Sequence, residues 1–277
     1  MKEAESFLNR ARDFQLREEQ SMRIHLFGSC SGTEPMPCRH HTAFAIQWQG
    51  GLYWFDAGEN CSYTAHMMGL DLQQVRAVFI SHCHMDHVGG LGNLLWNMRK
   101  LSERTHRLTG KTIPLFFPEL RCWDGLYQLL KCTEGNFDLD YTLNACEYQD
   151  GVIFSQDGLT VTALHNHHLA HQEGTPWRSF GFAIEAGGKR VVYTGDTKGL
   201  EDYRELLPCD LLLTETGHHH PAQVAQTLVD AGLAPGMLCL IHHGRDILAN
   251  PVQQYRQVRE ILGERVRILD DQTTLRV

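Results

Sequence analysis

Phe79-Ile80-Ser81-His82-Cys83-His84-Met85-Asp86-His87-Val88-Gly89-Gly90 sets three histidines and an aspartate within six residues. The preceding run from Val75 to Ile80 is apolar and rich in valine and isoleucine, which predicts a buried strand and places the histidines where that strand ends. Two apart in nearly extended chain, His82 and His84 point to the same side. Asp86 and His87 follow the turn and approach the same point from another direction, and a helical segment over Val88 to Lys100 carries the chain away. Imidazoles with one carboxylate suit zinc or another borderline divalent ion. With 17 histidines in 277 residues, chance supplies roughly 0.004 matches to His-x-His-x-Asp-His, so composition does not explain the cluster. Cys83 alternates away from its histidine neighbours and reads as a packing residue.

Composition narrows the class. At 42% hydrophobic residues the chain can bury a large core. No run reaches the roughly 18 apolar residues of a membrane span, and the first residues lack the basic-then-apolar order of a signal peptide. Nine scattered cysteines without a Cys-x-x-Cys pair argue for free thiols and a cytoplasmic protein. The net charge of −8 opposes indiscriminate binding to a phosphate backbone while permitting a small anionic substrate. The one basic stretch, Arg99, Lys100, Arg104, Arg107 and Lys111, reads as solvated surface.

Residues 1–21 carry Phe7, Leu8, Ala11, Phe14 and Leu16 at helical spacing, which predicts an amphipathic helix packed on the body or on a second subunit of a homodimer. Residues 22–277 form one domain. Strands are expected at Arg23–Phe27, Thr42–Trp48, Leu52–Phe55, Ile113–Phe117, Val152–Phe154, Leu159–Leu164, Phe180–Glu185, Arg190–Tyr193, Leu211–Thr214, Leu238–Ile241 and Val266–Leu269. Helices are expected after Gly58 through Met67 and Met68, and at Glu119–Lys131, Pro221–Asp230 and Pro251–Leu262. This order fits two packed sheets with helices on their outer faces. Gly28-Ser29-Cys30-Ser31-Gly32-Thr33 reads as a structural turn, and Asp56, at the tip of a strand, as a carboxylate that orients a ligand histidine or its loop.

Three later strand ends offer further ligands: the run His165, Asn166, His167, His168 with His171 nearby; Asp196 in Thr194-Gly195-Asp196-Thr197; and His242 or His243 in Ile241-His242-His243-Gly244-Arg245. His218, His219 and His220 precede a proline-started helix and supply candidates for a general acid.

Ser81-His82-Cys83-His84-Met85-Asp86-His87 resembles the signature of the metallo-β-lactamase superfamily of metal-dependent hydrolases, and the resemblance extends from about Met22 to the carboxyl terminus. It implies an αββα sandwich (α/β, four layers) and two divalent ions, zinc first, with manganese or iron as alternatives. One ion would be held by His82, His84 and His168, the other by Asp86, His87 and His242, with Asp196 as bridge and Asp86 also serving catalysis. His242 precedes Arg245 by three positions, as the last ligand does in related phosphodiesterase-type members. The opening glycine-rich loop, Asp196 and the Glu215-to-His220 region look most like the tRNase Z and cyclic-phosphate phosphodiesterase branch. The implied activity is a phosphodiesterase using a metal-bridging hydroxide. Alternatives are hydrolysis of a sulfate ester, lactone or thioester, tRNA 3′ processing, and a non-hydrolytic metal-binding or redox protein. The usual bacterial tRNase Z inserts a long basic arm between its third histidine ligand and its bridging aspartate, whereas here His168 and Asp196 stand only 28 residues apart. That shortness points to a small phosphodiester over a folded RNA.

Overall fold

The computed structural model describes residues 21–277, so the amphipathic helix expected ahead of Met22 lies outside the described residues. Fourteen strands form two seven-stranded sheets among the described residues. The first runs β14 (Thr274–Arg276), β1 (Arg23–Gly28), β2 (Ala43–Trp48), β3 (Gly51–Phe55), β4 (Val75–Phe79), β5 (Thr112–Phe117) and β6 (Thr142–Glu147). The second runs β13 (Val266–Ile268), β12 (Met237–His243), β11 (Leu211–Thr216), β10 (Lys189–Tyr193), β9 (Phe180–Ala186), β8 (Leu159–His165) and β7 (Gly151–Gln156).

Both sheets are covered on both faces, which is why their central strands read as continuous apolar runs. Along each strand alternate residues go to opposite layers. Leu26, Phe44, Ile46, Phe55 and Phe79 turn inward to meet Val161, Phe182, Tyr193, Leu213 and Ile241 of the other sheet. Rings close this seam: Phe55 stacks on Phe79 at 4.8 Å and meets Phe182 edge-on at 5.7 Å, while Phe44 meets Tyr193 edge-on at 5.0 Å. Phe27, Ala45, Trp54 and Val78 face outward beneath α1 (Cys61–Met67), α3 (Leu91–Thr105) and α4 (Leu120–Lys131). Val192, Leu212, Leu238 and Leu240 pack beneath α5 (Pro221–Asp230) and α7 (Pro251–Leu262). The prolines open these two helices at a position that needs no amide hydrogen, and the Asn250 side chain caps α7 by accepting from the Gln253 amide.

The expected strand order is present, with three additions and one division. Edge strands β6 and β14 and the short helix α6 (Arg245–Ala249) lack the apolar runs that mark buried elements. The helix expected over Val88–Lys100 is two: α2 (Met85–Val88), which contains Asp86 and His87, and α3 beyond Gly89-Gly90. None of the described helices is long and apolar enough to cross a membrane.

β8 is antiparallel to β9, β9 antiparallel to β10, and β10, β11 and β12 are parallel, so β8, β10, β11 and β12 all end on one rim. β4 ends there too, fastened to the second sheet where the Phe180 amide donates to the Ser81 carbonyl at 3.1 Å. Carboxyl ends of strands are the usual place for ligand sites in such sheets.

Candidate metal centre

Seven side chains converge on that rim in two groups that share Asp196. His82, His84, His168 and Asp196 form one; Asp86, His87, Asp196 and His242 form the other, and within each the ligand atoms lie within 4.8 Å of one another. Asp196 turns its Oδ2 to the first group, 3.7 Å from His82 Nε2 and 3.6 Å from His168 Nε2. Its Oδ1 faces the second group, 3.4 Å from His87 Nε2 and 3.2 Å from His242 Nε2. Asp86 Oδ2 completes the second group at 3.3 Å from His87 Nε2 and 3.2 Å from His242 Nε2.

The donor set fits cations. Buried polar atoms are normally hydrogen-bonded, yet His82 Nε2 and Asp196 Oδ1 have no hydrogen-bond partner. His87 Nε2 and His242 Nε2 face each other at 3.3 Å. Asp86, Asp196, Asp56 and Glu215 bring four buried carboxyl groups to this region, and buried charge requires compensation. The imidazoles respond unequally. Burial, then the neighbouring His87, pushes His82 well below its ordinary range. Burial opposes charge on His87 as well, but Asp196 and Asp56 outweigh it and raise His87 well above that range.

Asp56 sits behind His87 and is fully buried. Its Oδ2 accepts from His87 Nδ1 at 2.8 Å, Ser81 Oγ at 2.7 Å and the Tyr193 hydroxyl at 2.6 Å, and its Oδ1 accepts from the Ser81 amide at 2.7 Å. The first contact holds a proton on Nδ1, so that Nε2, turned toward Asp196 and Asp86, is the atom that would ligate a cation once it gives up its own proton. Asp56 and His242 both adopt positive φ, 51° and 47°, a conformation uncommon outside glycine that concentrates at functional sites.

The remaining histidines are engaged elsewhere. His165 pairs with Asp150 at 2.6 Å and stacks on Trp177, His171 also stacks on Trp177, and His167 pairs with Asp202 at 2.6 Å. His243 is buried, binds the Leu269 carbonyl through Nε2 at 2.6 Å, and is pushed down to about 4 by burial. Cys83 meets the Cys122 thiol on α4. The basic stretch is used in structural pairs, Arg99 with Glu103 and the Asp138 carbonyl, Arg107 with Asp71.

The three consecutive histidines separate clearly. His218 lines the same cavity as the ligand cluster, and its Nδ1 lies 2.9 and 3.0 Å from the two Glu215 oxygens. That hydrogen bond raises the His218 pKa, against the opposing effect of burial. His219 binds the Thr197 carbonyl and hydroxyl at 3.1 and 3.2 Å. His220 is exposed and pairs with Asp246. Sequence alone assigns Glu215 no role of its own, although its place near the end of an apolar strand, three residues before His218, carried the signal. It also accepts from the Thr197 and His218 amides at 2.9 and 2.8 Å.

The cavity over the cluster measures about 370 Å³, within the range of small-molecule sites. The Gly28–Thr33 loop, read from sequence as a turn, forms part of its wall through Ser31, Gly32 and Thr33. Glycine is needed at two places: a Cβ on Gly32 would come within 2.9 Å of Asp86 Oδ2, and one on Gly217 within 2.7 Å of His242 Nδ1.

Comparison with known proteins supports this frame. The metallo-beta-lactamase fold protein YhfI from Bacillus subtilis superposes with a TM-score of 0.70 at 18% identity, covering 93% of this chain and 100% of that one. Human tRNase Z, short form, superposes with a TM-score of 0.67 at 18% identity, covering 91% and 98%. The ribonuclease Z of Methanothermobacter thermautotrophicus is 27% identical over 149 residues, 53% of this chain and 45% of the relative. This chain thus spans less than half the length of that curated relative. The architecture is the metallo-β-lactamase fold, and its neighbours are of the tRNase Z and phosphodiesterase kind. Residues 22–224 match the family described as anti-Pycsar protein Apyc1, and the chain belongs to that family.

Proposed function

We propose that this chain is a dinuclear metal-dependent phosphodiesterase acting on a small phosphodiester, such as a cyclic nucleotide or cyclic sugar phosphate. The observation that carries the reading is the pair of ligand groups joined through the two oxygens of Asp196. His82, His84 and His168 would hold one ion, Asp86, His87 and His242 the other, with zinc the first candidate and manganese or iron suited to the same donors. Such ions supply activated water near neutral pH and charge stabilisation at phosphoryl oxygens. The protein's own contribution is orientation and proton supply. Glu215 fixes the His218 ring through Nδ1 and favours its protonated form, so that Nε2 can give a proton to the leaving oxygen. Asp56 holds His87 in the ligating tautomer.

Size and charge favour a small substrate. Between His168 and Asp196 the cations are Arg178, Lys189 and Arg190, and each faces a carboxylate: Glu119 at 3.9 Å, Asp210 at 2.9 Å and Glu185 at 2.7 Å. Cations so engaged make no phosphate clamp for a polyanion. All nine cysteines are free thiols, consistent with work in the cytoplasm. Metal analysis of protein expressed with ample metal is expected to find about two ions per chain. Parallel assays on bis(p-nitrophenyl) phosphate, cyclic nucleotides and a tRNA precursor then decide the substrate class. Efficient, salt-sensitive 3′ processing of the tRNA with poor small-substrate turnover would overturn the proposal.

A further inference from the structure

Arg245 lines the ligand cavity and pairs with Glu34, the residue after the lining Thr33. Arg245 Nη1 donates to Glu34 Oε1 at 2.8 Å and Nη2 donates to Oε2, two parallel bonds from a guanidinium fork to a carboxylate. Both side chains are exposed, 66% and 59%, and a pair this open contributes little to stability. Arg245 is nevertheless the only lysine or arginine among the described residues that line the cavity. The backbones beneath the pair are fastened: the Ser31 amide and hydroxyl both donate to the His243 carbonyl, at 3.2 and 2.8 Å. Two long, exposed side chains, bound to each other, thus stand on a fixed base.

The guanidinium fork matches two non-bridging phosphoryl oxygens as well as it matches a carboxylate. We propose that Glu34 and Arg245 form an exchangeable clamp, in which Arg245 leaves the Glu34 carboxylate for the phosphoryl oxygens of the substrate entering the cavity. Arg245 is then a substrate-binding residue, and Glu34 occupies its fork in the free protein. While paired, the hydrogen bond from Arg245 holds the Glu34 carboxyl below the usual carboxylate range, so the competing group is a charged carboxylate near neutral pH. An uncharged ester gains nothing from the exchange, whereas an anionic one replaces one carboxylate with an equivalent partner and leaves Glu34 to water. The pair therefore filters for anions at the entrance. This inference rests on the phosphodiesterase reading for its substrate, though its anion chemistry can be tested separately.

The test compares metal-loaded wild type, Arg245→Ala, Arg245→Lys and Glu34→Gln. Arg245→Ala is expected to raise KM for bis(p-nitrophenyl) phosphate by about 10- to 100-fold, the scale of lost charge-assisted hydrogen bonds, with KM for neutral p-nitrophenyl acetate unchanged. Arg245→Lys should fall between, keeping charge without the fork. Glu34→Gln should lower KM for the diester by about 2- to 5-fold, the worth of an exposed pair. Thermal melting should stay near wild type for all three. Unchanged diester KM in Arg245→Ala overturns the clamp, as does a KM that rises in Glu34→Gln as it does in Arg245→Ala, because the pair then merely shapes the loop. If wild type hydrolyses no diester, the phosphodiesterase reading falls and calorimetric titration with inorganic phosphate judges the clamp alone. Weaker phosphate binding in Arg245→Ala with tighter binding in Glu34→Gln sustains it, and equal affinity in all variants rejects it.

Discussion

Replacing Asp56 by asparagine changes a few atoms out of reach of any substrate and should cost the protein its metal before it costs the fold. The wild-type carboxylate accepts four hydrogen bonds, from the Ser81 amide on Oδ1 and from Ser81 Oγ, Tyr193 and His87 on Oδ2. An asparagine keeps one oxygen. Facing that oxygen to Ser81 N preserves the backbone bond and turns the new NH2 toward two hydroxyls, which can rotate to accept, and toward His87 Nδ1, which accepts only by moving its proton to Nε2. The opposite orientation sets NH2 against the Ser81 amide, which cannot turn. Either way one buried interaction is lost, about 1–3 kcal/mol of stability, a fraction of the 5–15 kcal/mol typical of a folded domain. The favoured orientation also occupies the His87 lone pair that faces Asp196 and Asp86, and a lost outer hydrogen bond of this type lowers metal affinity by about 10- to 100-fold. Denaturant unfolding of the metal-stripped protein measures the first effect, and competition with a chromophoric chelator the second. Wild-type metal affinity in a folded Asp56→Asn protein would refute the tautomer argument.

Other substitutions separate the remaining roles. Glu215→Gln removes the charge that strengthens the hydrogen bond raising the His218 pKa; an acid must be protonated to act, so the alkaline limb of the rate profile should move to lower pH, read from kcat against pH. His218→Ala should reduce kcat on a substrate with a poor leaving group by about 100-fold or more, while His220→Ala, at an exposed residue paired with Asp246, leaves kcat within about twofold in the same assay. His168→Ala should lower the metal content found by elemental analysis, and His171→Ala, whose ring stacks on Trp177, should not. In Gly32→Ala the new methyl meets Asp86 Oδ2 at 2.9 Å, so metal affinity should fall while the melting temperature of the metal-free protein changes little; equal affinity would show that the loop simply yields.

Buried strands and their order were legible because each central strand of both sheets is covered twice and so spells a continuous apolar run. Pro221–Asp230 and Pro251–Leu262 coincide with their expected bounds, since proline marks their first turn. Edge strands β6 and β14 were not legible, because an edge needs only intermittent apolar contact. The histidine run after β8 left four candidates in one-dimensional spacing. What distinguishes His168 is three-dimensional: Asp150, Asp202 and Trp177 engage the other three, and spacing along the chain does not announce those pairings. Glu215 entered only as the start of the Glu215-to-His220 region, and its role rests on His218 bending back to it. Nor does any local signal foretell the positive φ of His242.

The ligand groups draw from both sheets. His82, His84, Asp86 and His87 follow β4 of the first, while His168, Asp196 and His242 come from β8, β10 and β12 of the second. Each ion bound there would be a rivet through the joint between two halves otherwise joined by apolar contact and a few hydrogen bonds such as that of Tyr193 to Asp56. An ion present at a thousand times its dissociation constant adds about 4 kcal/mol to the folded state. Metal starvation would then do more than silence the chemistry. It would let the rim open first, expose the apolar seam to proteases, and tie the lifetime of the protein in a cell to that cell's supply of metal.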